Sequence, residues 1–129
     1  MDREYFRARH RLSHDRDYRA VFAARMQKHA GPITVWSRPN GLDEHRLGLT
    51  IGRRLGGAVQ RNGLKRRLRE AFRVIRAGHE GACLDLVVTA RPHRLLPGAR
   101  YRELLEGAWR ASEAAWRRRA DGAGVVDEG

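Results

Sequence analysis

Apolar side chains recur at helical spacing near the start of the chain. Val21 and Phe22 lie three and four positions after Tyr18, so the three side chains occupy one side of an α-helix. Ser13 is a candidate N-cap just before them, because its hydroxyl can accept a hydrogen bond from a first-turn amide. We therefore predict a first helix over residues 14–25.

Two later segments alternate between apolar and polar residues, which predicts strands. In the segment ITVWSR, Ile33 and Val35 lie on one face and Trp36 on the other. The segment RLGLTIGR, residues 46–53, alternates in the same way. A Pro-Asn-Gly turn signal separates the two. We expect these strands to pair with each other as an antiparallel hairpin.

Three further elements are predicted in the second half of the chain. Helical periodicity indicates a long helix over residues 58–77 and a last helix over residues 101–119. Between them, the apolar run of residues 83–90 predicts a strand. This strand follows a strand-helix unit, so we expect it to pair in parallel with an earlier strand. Residues 1–11 are predicted to be mobile, and residues 120–129 to form a disordered tail.

The order of these elements predicts an α+β fold, in which helices pack against a mixed sheet. The chain has 129 residues, which is enough for one domain of ordinary size. We place that domain at residues 1–119.

Composition adds a strong positive charge to this picture. The chain has 27 Lys or Arg against 15 Asp or Glu, a net charge of +12 and a pI of about 11.4. Such a charge attracts polyanions. Arginine dominates the basic residues, and its planar fork suits phosphate. A GC-rich genome would favour the same choice of arginine, but it does not explain where the charges cluster.

The sequence also bounds the compartment. The N-terminal segment has no apolar core of secretory length, and no stretch approaches the roughly 18 apolar residues of a membrane span. The lone Cys83 cannot form an internal disulfide. We expect a cytoplasmic protein that does not depend on a membrane.

The chain offers no recognisable motif for catalysis or metal binding. His10 and His14 have the spacing of a zinc pair on a helix, but no cysteine ligand or HExxH context accompanies them. No nucleophile elbow, phosphate loop or metal-binding carboxylate pair is evident. We therefore predict no catalytic residue and no metal ligand in the protein, and we favour binding over chemistry.

Basic residues are concentrated around the long helix. Residues 53–76 contain nine Lys or Arg and a single acid, Glu70. Like charges stacked on a helix cost about 0.2–0.5 kcal/mol per pair, whereas a bound phosphate backbone makes the same array favourable. The pattern predicts a nucleic-acid-binding face. On a helical wheel, this flank spans roughly 100° and contains Asn62, Lys65, Arg66, Arg69, Arg73 and Arg76.

Aromatic residues suggest a second surface. Tyr18 and Phe22 are one turn apart on the first helix, and Trp36 lies on the sheet face opposite Ile33 and Val35. If the helix packs along that face, the three rings could line an open cleft for unstacked nucleotides. An ordinary helix-sheet core explains the same pattern, and both interpretations stay open on the residues alone.

The run GRRLGGAVQRNGLKRRLREAFR, residues 52–73, resembles the signature of the protein subunits of bacterial ribonuclease P. Members of that family show a basic pair after a strand, then Gly-x-Ala-Val, Arg-Asn-Arg, Lys-Arg and Arg-Glu-x-Phe-Arg. The resemblance extends over residues 12–116 and includes LSHDRDYRAVF, ITVWSRPN, HRLGLTIGRR and LDLVVTAR. One departure is Gly63, which replaces the second arginine of Arg-Asn-Arg and to which we assign no RNA contact.

The resemblance implies a fold and a division of labour. The fold would be a two-layer α-β sandwich of ribosomal-protein type with three helices and a left-handed β-α-β crossover, an exception to the usual hand. The catalytic RNA subunit would bind Mg²⁺ and cleave the 5′ leader from precursor tRNA. The protein would be the partner of that RNA and of precursor tRNA, with no metal of its own and no protein partner.

The resemblance also assigns roles by position. Tyr18, Phe22 and Trp36 would line the leader-binding cleft. Contacts with the catalytic RNA would come from Arg53, Arg54, Arg61, Asn62, Lys65, Arg66, Arg69 and Arg73.

Three other functions share part of this pattern. A ribosomal or other structural RNA-binding protein needs the basic face but no cleft. A DNA-binding regulator would place the basic helix in the major groove, but no short partner helix precedes it. A nuclease made of protein alone would cleave precursor tRNA without an RNA subunit.

Overall fold

A four-stranded sheet lies at the centre of the computed structural model, which describes residues 8–126. The strands are β1 (Met26–Ala30), β2 (Ile33–Pro39), β3 (Arg46–Thr50) and β4 (Leu84–Ala90). The helices are α1 (Asp15–Ala23), α2 (Ala58–Ile75) and α3 (Gly98–Val126). This mixed sheet with three helices confirms the predicted α+β fold.

The predicted hairpin of β2 and β3 is wrong, because β4 lies between them in the order β1-β2-β4-β3. β2 pairs antiparallel with both β1 and β4. β4 takes the central position because it is apolar on both faces: Leu86 and Val88 enter one core, and Val87 enters the other. A strand buried on both faces gains most from a position between two neighbours.

The predicted parallel pairing is confirmed, since β3 and β4 run parallel with Leu47 opposite Leu86. The chain passes from β3 to β4 through α2, so these elements form a β-α-β unit. Its left-handed sense stays a prediction of the resemblance.

Strand β1 was missed by the sequence analysis. The first helix ends at Ala23, and Arg25 turns the chain into β1 with a φ of 55°. Only Met26 of this strand is buried, and the segment MQKHA lacks the β-branched residues that mark strands. Pairing with β2 along its whole length makes this segment a strand.

Helices cover both faces of the sheet. α2 and α3 bury one face in the main core, to which Phe72, Tyr101, Leu105 and Trp109 contribute fully buried side chains. α1 packs on the other face around the smaller core of Leu12, Val21 and Val87. The apolar sides of α2 and α3 thus face the sheet, and the basic flank of α2 lies on another side of the helix.

Both terminal segments are more ordered than expected within the described residues. His10, which lies in the segment predicted to be mobile, is fully buried, and its ring centroid is 6.4 Å from that of Phe72. α3 continues to Val126, so residues 120–126 extend a helix and do not form a disordered tail. Each added residue of an established helix gains a hydrogen bond without a new nucleation cost. Residues 1–7 and 127–129 lie outside the described residues.

Within the described range, no helix combines the length and the apolar character that crossing a membrane requires.

Candidate nucleic-acid interface

The outward flank of α2 presents basic side chains without local counter-ions. Arg53 and Arg54 lie in a short 3₁₀ turn after β3 and are exposed, and Lys65, Arg66 and Arg69 follow along the helix. In residues 8–126, no ion pair involves any of these five side chains. Bound phosphates would offset the electrostatic repulsion among these five cations. Arg61 and Asn62, also assigned to this face, lie in the first turns of α2.

The predicted row of unpaired like charges does not extend to the C-terminal part of this flank, because Arg73 forms an ion pair with Glu70. Its Nε donates to Glu70 Oε2 at 3.0 Å, and its Nη2 donates to the other carboxylate oxygen. The hydrogen bond from Arg73 lowers the pKa of Glu70. Arg76 Nη1 lies 3.9 Å from Glu44. The uncompensated row of like charges therefore ends at Arg69, since an acid three residues away and a tertiary acid neutralise the last two arginines of the flank.

The three aromatic residues assigned to the cleft lie together on the α1 face of the sheet. Tyr18, Phe22 and Trp36 surround the small core without being fully buried. The rings of Phe22 and Trp36 meet edge to face with centroids 5.0 Å apart. The three rings therefore belong partly to a core and partly to an open surface. The predicted helix-sheet core and the predicted open cleft are thus compatible with each other.

The cleft and the basic flank meet at a small cavity that sequence reasoning missed. Its volume is about 250 Å³. Burial lowers the pKa of Arg69, and the nearby positive charge of Arg11 lowers it further. Arg11 was not assigned to this surface, although the basic run RHRLS before the first helix was a signal. Ser13 was predicted only as the N-cap of the first helix, a position that His14 occupies in the structure. The cavity is lined by Arg11, Leu12, Ser13, Tyr18, Leu47, Leu49, Lys65 and Arg69.

A buried ion pair links β3 and β4 to the start of α1. Arg46 Nε and Nη2 donate to the two Asp85 carboxylate oxygens at 2.8 and 2.7 Å, and Asp85 is fully buried. These hydrogen bonds raise the pKa of Arg46. Arg46 Nη1 also lies 3.7 Å from Asp17 of α1. This pairing fixes the start of α1 over β3 and β4, and thereby the position of Tyr18.

Gly63 lies on the side of α2 that faces a loop. A Cβ at this position would lie 3.2 Å from Leu95 Cδ1 and 3.0 Å from Arg67 Nη1. Gly63 is buried by these two side chains. The glycine thus lets the loop close over the helix, at a cost of about 1 kcal/mol in helix propensity relative to alanine.

Among the residues that the structure describes, no group of three or more His, Cys, Asp or Glu side chains could hold a metal ion.

Comparison with known proteins places this interface in a family context. The family model described as "Ribonuclease P" matches residues 6–113. A protein of Chromobacterium violaceum named "Ribonuclease P protein component" is 41% identical over 87 residues, which cover 67% of this chain and 70% of that protein. A protein of the same name from Chromohalobacter salexigens is 36% identical over 116 residues, covering 88% of this chain and 89% of the other.

Solved structures are also similar. The RNase P protein of Thermotoga maritima has a TM-score of 0.66 and 32% identity, covering 75% of this chain and 92% of that chain. The Staphylococcus aureus RNase P protein has a TM-score of 0.68 and 26% identity, covering 80% of this chain and 94% of the other.

Proposed function

The chain belongs to the family of ribonuclease P protein components, and we propose that it assists a catalytic RNA in removing the 5′ leader from precursor tRNA. One observation carries the proposal: the aromatic cleft and the uncompensated part of the α2 flank meet at the cavity shared by Tyr18, Lys65 and Arg69. A single strand lying in the cleft would pass directly to the face that holds a folded RNA.

The proposed mechanism divides the work between protein and RNA. Mg²⁺ at the RNA active site supplies the hydrolytic chemistry. In the protein, Tyr18, Phe22 and Trp36 offer ring faces and edges to leader bases, and base stacking of this kind contributes about 1–3 kcal/mol per base. The flank of α2 replaces counterions around the catalytic RNA, which lets the complex form at physiological salt.

The proposal places the protein in the bacterial cytoplasm, with the catalytic RNA and precursor tRNA as its partners. It requires neither a membrane nor a second protein. A structural RNA-binding protein would share the flank of α2, but it would have no use for a cleft that joins it.

Reconstitution tests the proposal directly. Precursor tRNA is incubated at low Mg²⁺ with a bacterial catalytic RNA, with and without this protein, and leader release is measured. We expect cleavage to be faster with the protein. An unchanged rate would contradict the proposal and favour a structural RNA-binding role. Cleavage by the protein and Mg²⁺ without any RNA subunit would make it a nuclease in its own right.

Replacing Phe22 tests the cleft. Phe22→Ala removes a ring that contacts Trp36, so we expect precursor tRNA to bind the holoenzyme about 5- to 150-fold more weakly, the equivalent of about 1–3 kcal/mol. Mature tRNA, which has no leader, should bind as before. Phe22→Leu keeps an apolar side chain over the small core and serves as the control for folding. Equal losses for precursor and mature tRNA would show that Phe22 is only a core residue.

A further inference from the structure

A second basic cavity lies between α2 and the first turn of α3. Its volume is about 410 Å³, which is within the range of small-ligand sites. Of its lining residues, only Arg66 was assigned above to contact with RNA. Four lining residues come from α2 and three from α3: Arg66, Arg67, Glu70, Ala71, Gly98, Ala99 and Arg102.

Positive charge dominates this cavity. Arg66, Arg67 and Arg102 line it, and none of the three forms an ion pair with a described residue. The carboxylate of Glu70 is already engaged by Arg73, whose hydrogen bond is the main reason for its lowered pKa, and Arg102 adds a smaller electrostatic contribution. The cavity is therefore lined by three arginines without an ion pair and by one carboxylate that Arg73 already neutralises.

The start of α3 adds hydrogen-bond donors to the same cavity. The amides of Arg100 and Tyr101 donate to the Pro97 carbonyl at 3.0 and 3.4 Å. Gly98 and Ala99 line the cavity and are the first two residues of α3, so their amides have no partner within the helix. Pro97 has no side-chain acceptor to cap them.

The start of α3 also lacks an acid where the helix dipole favours negative charge, since its first turn contains no acidic residue. Arg100 in this turn is paired with Glu103 at 3.1 Å, whereas Arg102, just after it, has no ion-pair partner among the described residues. An anion in the cavity would therefore be favoured both by Arg102 and by the start of this 29-residue helix.

We propose that this cavity binds a backbone phosphate of RNA, held by the guanidinium forks of Arg67 and Arg102 and by the amides of Gly98 and Ala99. The phosphate lies outside the leader cleft, so α3 contributes to the RNA interface together with α2. The identity of the anion as an RNA phosphate rests on the proposed function, whereas the anion site itself does not.

A pair of matched variants tests the site. Arg67→Ala/Arg102→Ala removes two cations from the cavity. Arg117→Ala/Arg118→Ala removes two exposed cations from α3 about 23 Å further along the helix, at 1.5 Å per residue. The two double variants carry the same net charge, so any difference between them reports position and not overall charge.

Two measurements compare the variants. Inorganic phosphate is titrated into the free protein while the amide resonances of Gly98 and Ala99 are recorded by NMR. These resonances should shift in the wild type and in the Arg117/Arg118 variant, but not in the Arg67/Arg102 variant. In the second measurement, affinity for a bacterial catalytic RNA is determined across a salt series. The Arg67/Arg102 variant should lower the slope of log K against log salt by up to about two units, and more than the control does.

The outcomes separate the site from the proposed function. Absence of a phosphate-dependent shift in the wild type would overturn the site. A shift that is lost in the Arg67/Arg102 variant, with a salt slope equal to that of the control, would make free phosphate the ligand and overturn the RNA contact. If the wild type does not bind the catalytic RNA at all, the proposed function fails while the titration still decides the site.

Arg102→Glu guards against a folding artefact. An acid near the start of α3 interacts favourably with the helix dipole, so this variant should retain the fold. Its carboxylate would occupy the anion position, and we expect the phosphate response of Gly98 and Ala99 to disappear. A response of wild-type size would contradict the proposal.

Discussion

At the scale of single residues, the geometry of the cleft depends on Gly48. A Cβ at this position in β3 would lie 2.7 Å from Tyr18 Cε1 and 2.8 Å from the Tyr18 hydroxyl. No side chain fits at these distances, so the glycine lets the tyrosine ring lie directly on the sheet. The ring in turn places its hydroxyl 3.3 Å from the Leu12 carbonyl, at the cavity where cleft and flank meet.

Gly48→Ala should displace the Tyr18 ring. We expect a loss of about 1–3 kcal/mol in the free energy of unfolding, the usual effect of overpacking, and weaker binding of precursor tRNA than of mature tRNA. Gly52→Ala is the matched control, because a Cβ there meets nothing within 4 Å and its φ of −82° suits alanine. Chemical denaturation and tRNA binding check both variants. Wild-type behaviour of Gly48→Ala would mean that the position of the ring is not critical.

At the scale of elements, α2 changes character along its length. Arg69 has no counter-ion among the described residues and lies close to Arg11, which lowers its pKa in addition to burial. Arg73, one turn later, is held on the Glu70 carboxylate. Arg69 is therefore expected to bind a phosphate more readily than Arg73, although both lie on the same face of α2.

Arg69→Ala should affect RNA binding more than Arg73→Ala. A guanidinium that contacts a phosphate contributes about 0.9 to the slope of log K against log salt. We expect Arg69→Ala to lower the slope by about this amount. Arg73→Ala should lower it less, because the guanidinium of Arg73 is already engaged. Affinity for the catalytic RNA from 50 to 300 mM salt, about the range over which such slopes are resolved, checks the comparison. Equal slopes would show that RNA displaces Glu70 from Arg73.

At the scale of the whole molecule, His45 connects elements that are distant in sequence. Its Nδ1 accepts a hydrogen bond from the Leu84 amide at 3.0 Å, so Nε2 carries the proton and donates to the His79 carbonyl at 2.7 Å. Its ring also meets Trp109 of α3 edge to face at 4.9 Å. The neutral side chain thus joins the starts of β3 and β4 to the segment after α2 and to α3.

Stability should fall as the pH drops below the unfolded pKa of histidine, about 6.5. Burial lowers the pKa of His45 in the fold, and the hydrogen bond to the His79 carbonyl opposes this only partly. The unfolded chain then binds more protons in this range. The contribution of His45 is complete above pH 6.5 and is lost as the pH falls toward the lowered folded pKa.

His45→Gln removes this titration. The variant should be less stable than the wild type at pH 7.5, but it should lose less of its free energy of unfolding between pH 7.5 and pH 5. Urea denaturation at both pH values measures the difference. His14→Gln changes an exposed histidine and should retain the pH dependence of the wild type. A His45→Gln variant with the full wild-type pH dependence would rule out His45 as a source of acid sensitivity.

Local patterns predicted most of the elements and part of the interface. The alternation of Ile33, Val35 and Trp36 placed the tryptophan on the face that α1 covers. The helical wheel placed the basic residues of α2 on one flank, and the structure buries Leu64, Leu68 and Phe72 on another side of the helix. Both follow from the fixed repeats of helix and strand, which assign each side chain to a face regardless of what lies opposite. The roles given to those side chains in RNA binding stay predictions.

The sequence by itself determined which residues share a face, where the charge concentrates, and through its motif which family the chain resembles. Only the tertiary structure decided what each face contacts. In the sheet, β4 lies between β2 and β3, and pairing with β2 makes β1 a strand. On α2, Arg73 forms an ion pair with Glu70, whereas Arg69 lies close to the positive charge of Arg11. The physical reason is the distance along the sequence between the residues that interact. Side-chain periodicity is set by neighbours along the backbone, whereas strand order and charge pairing depend on contacts between residues far apart in sequence, whose free energy exists only in the assembled fold.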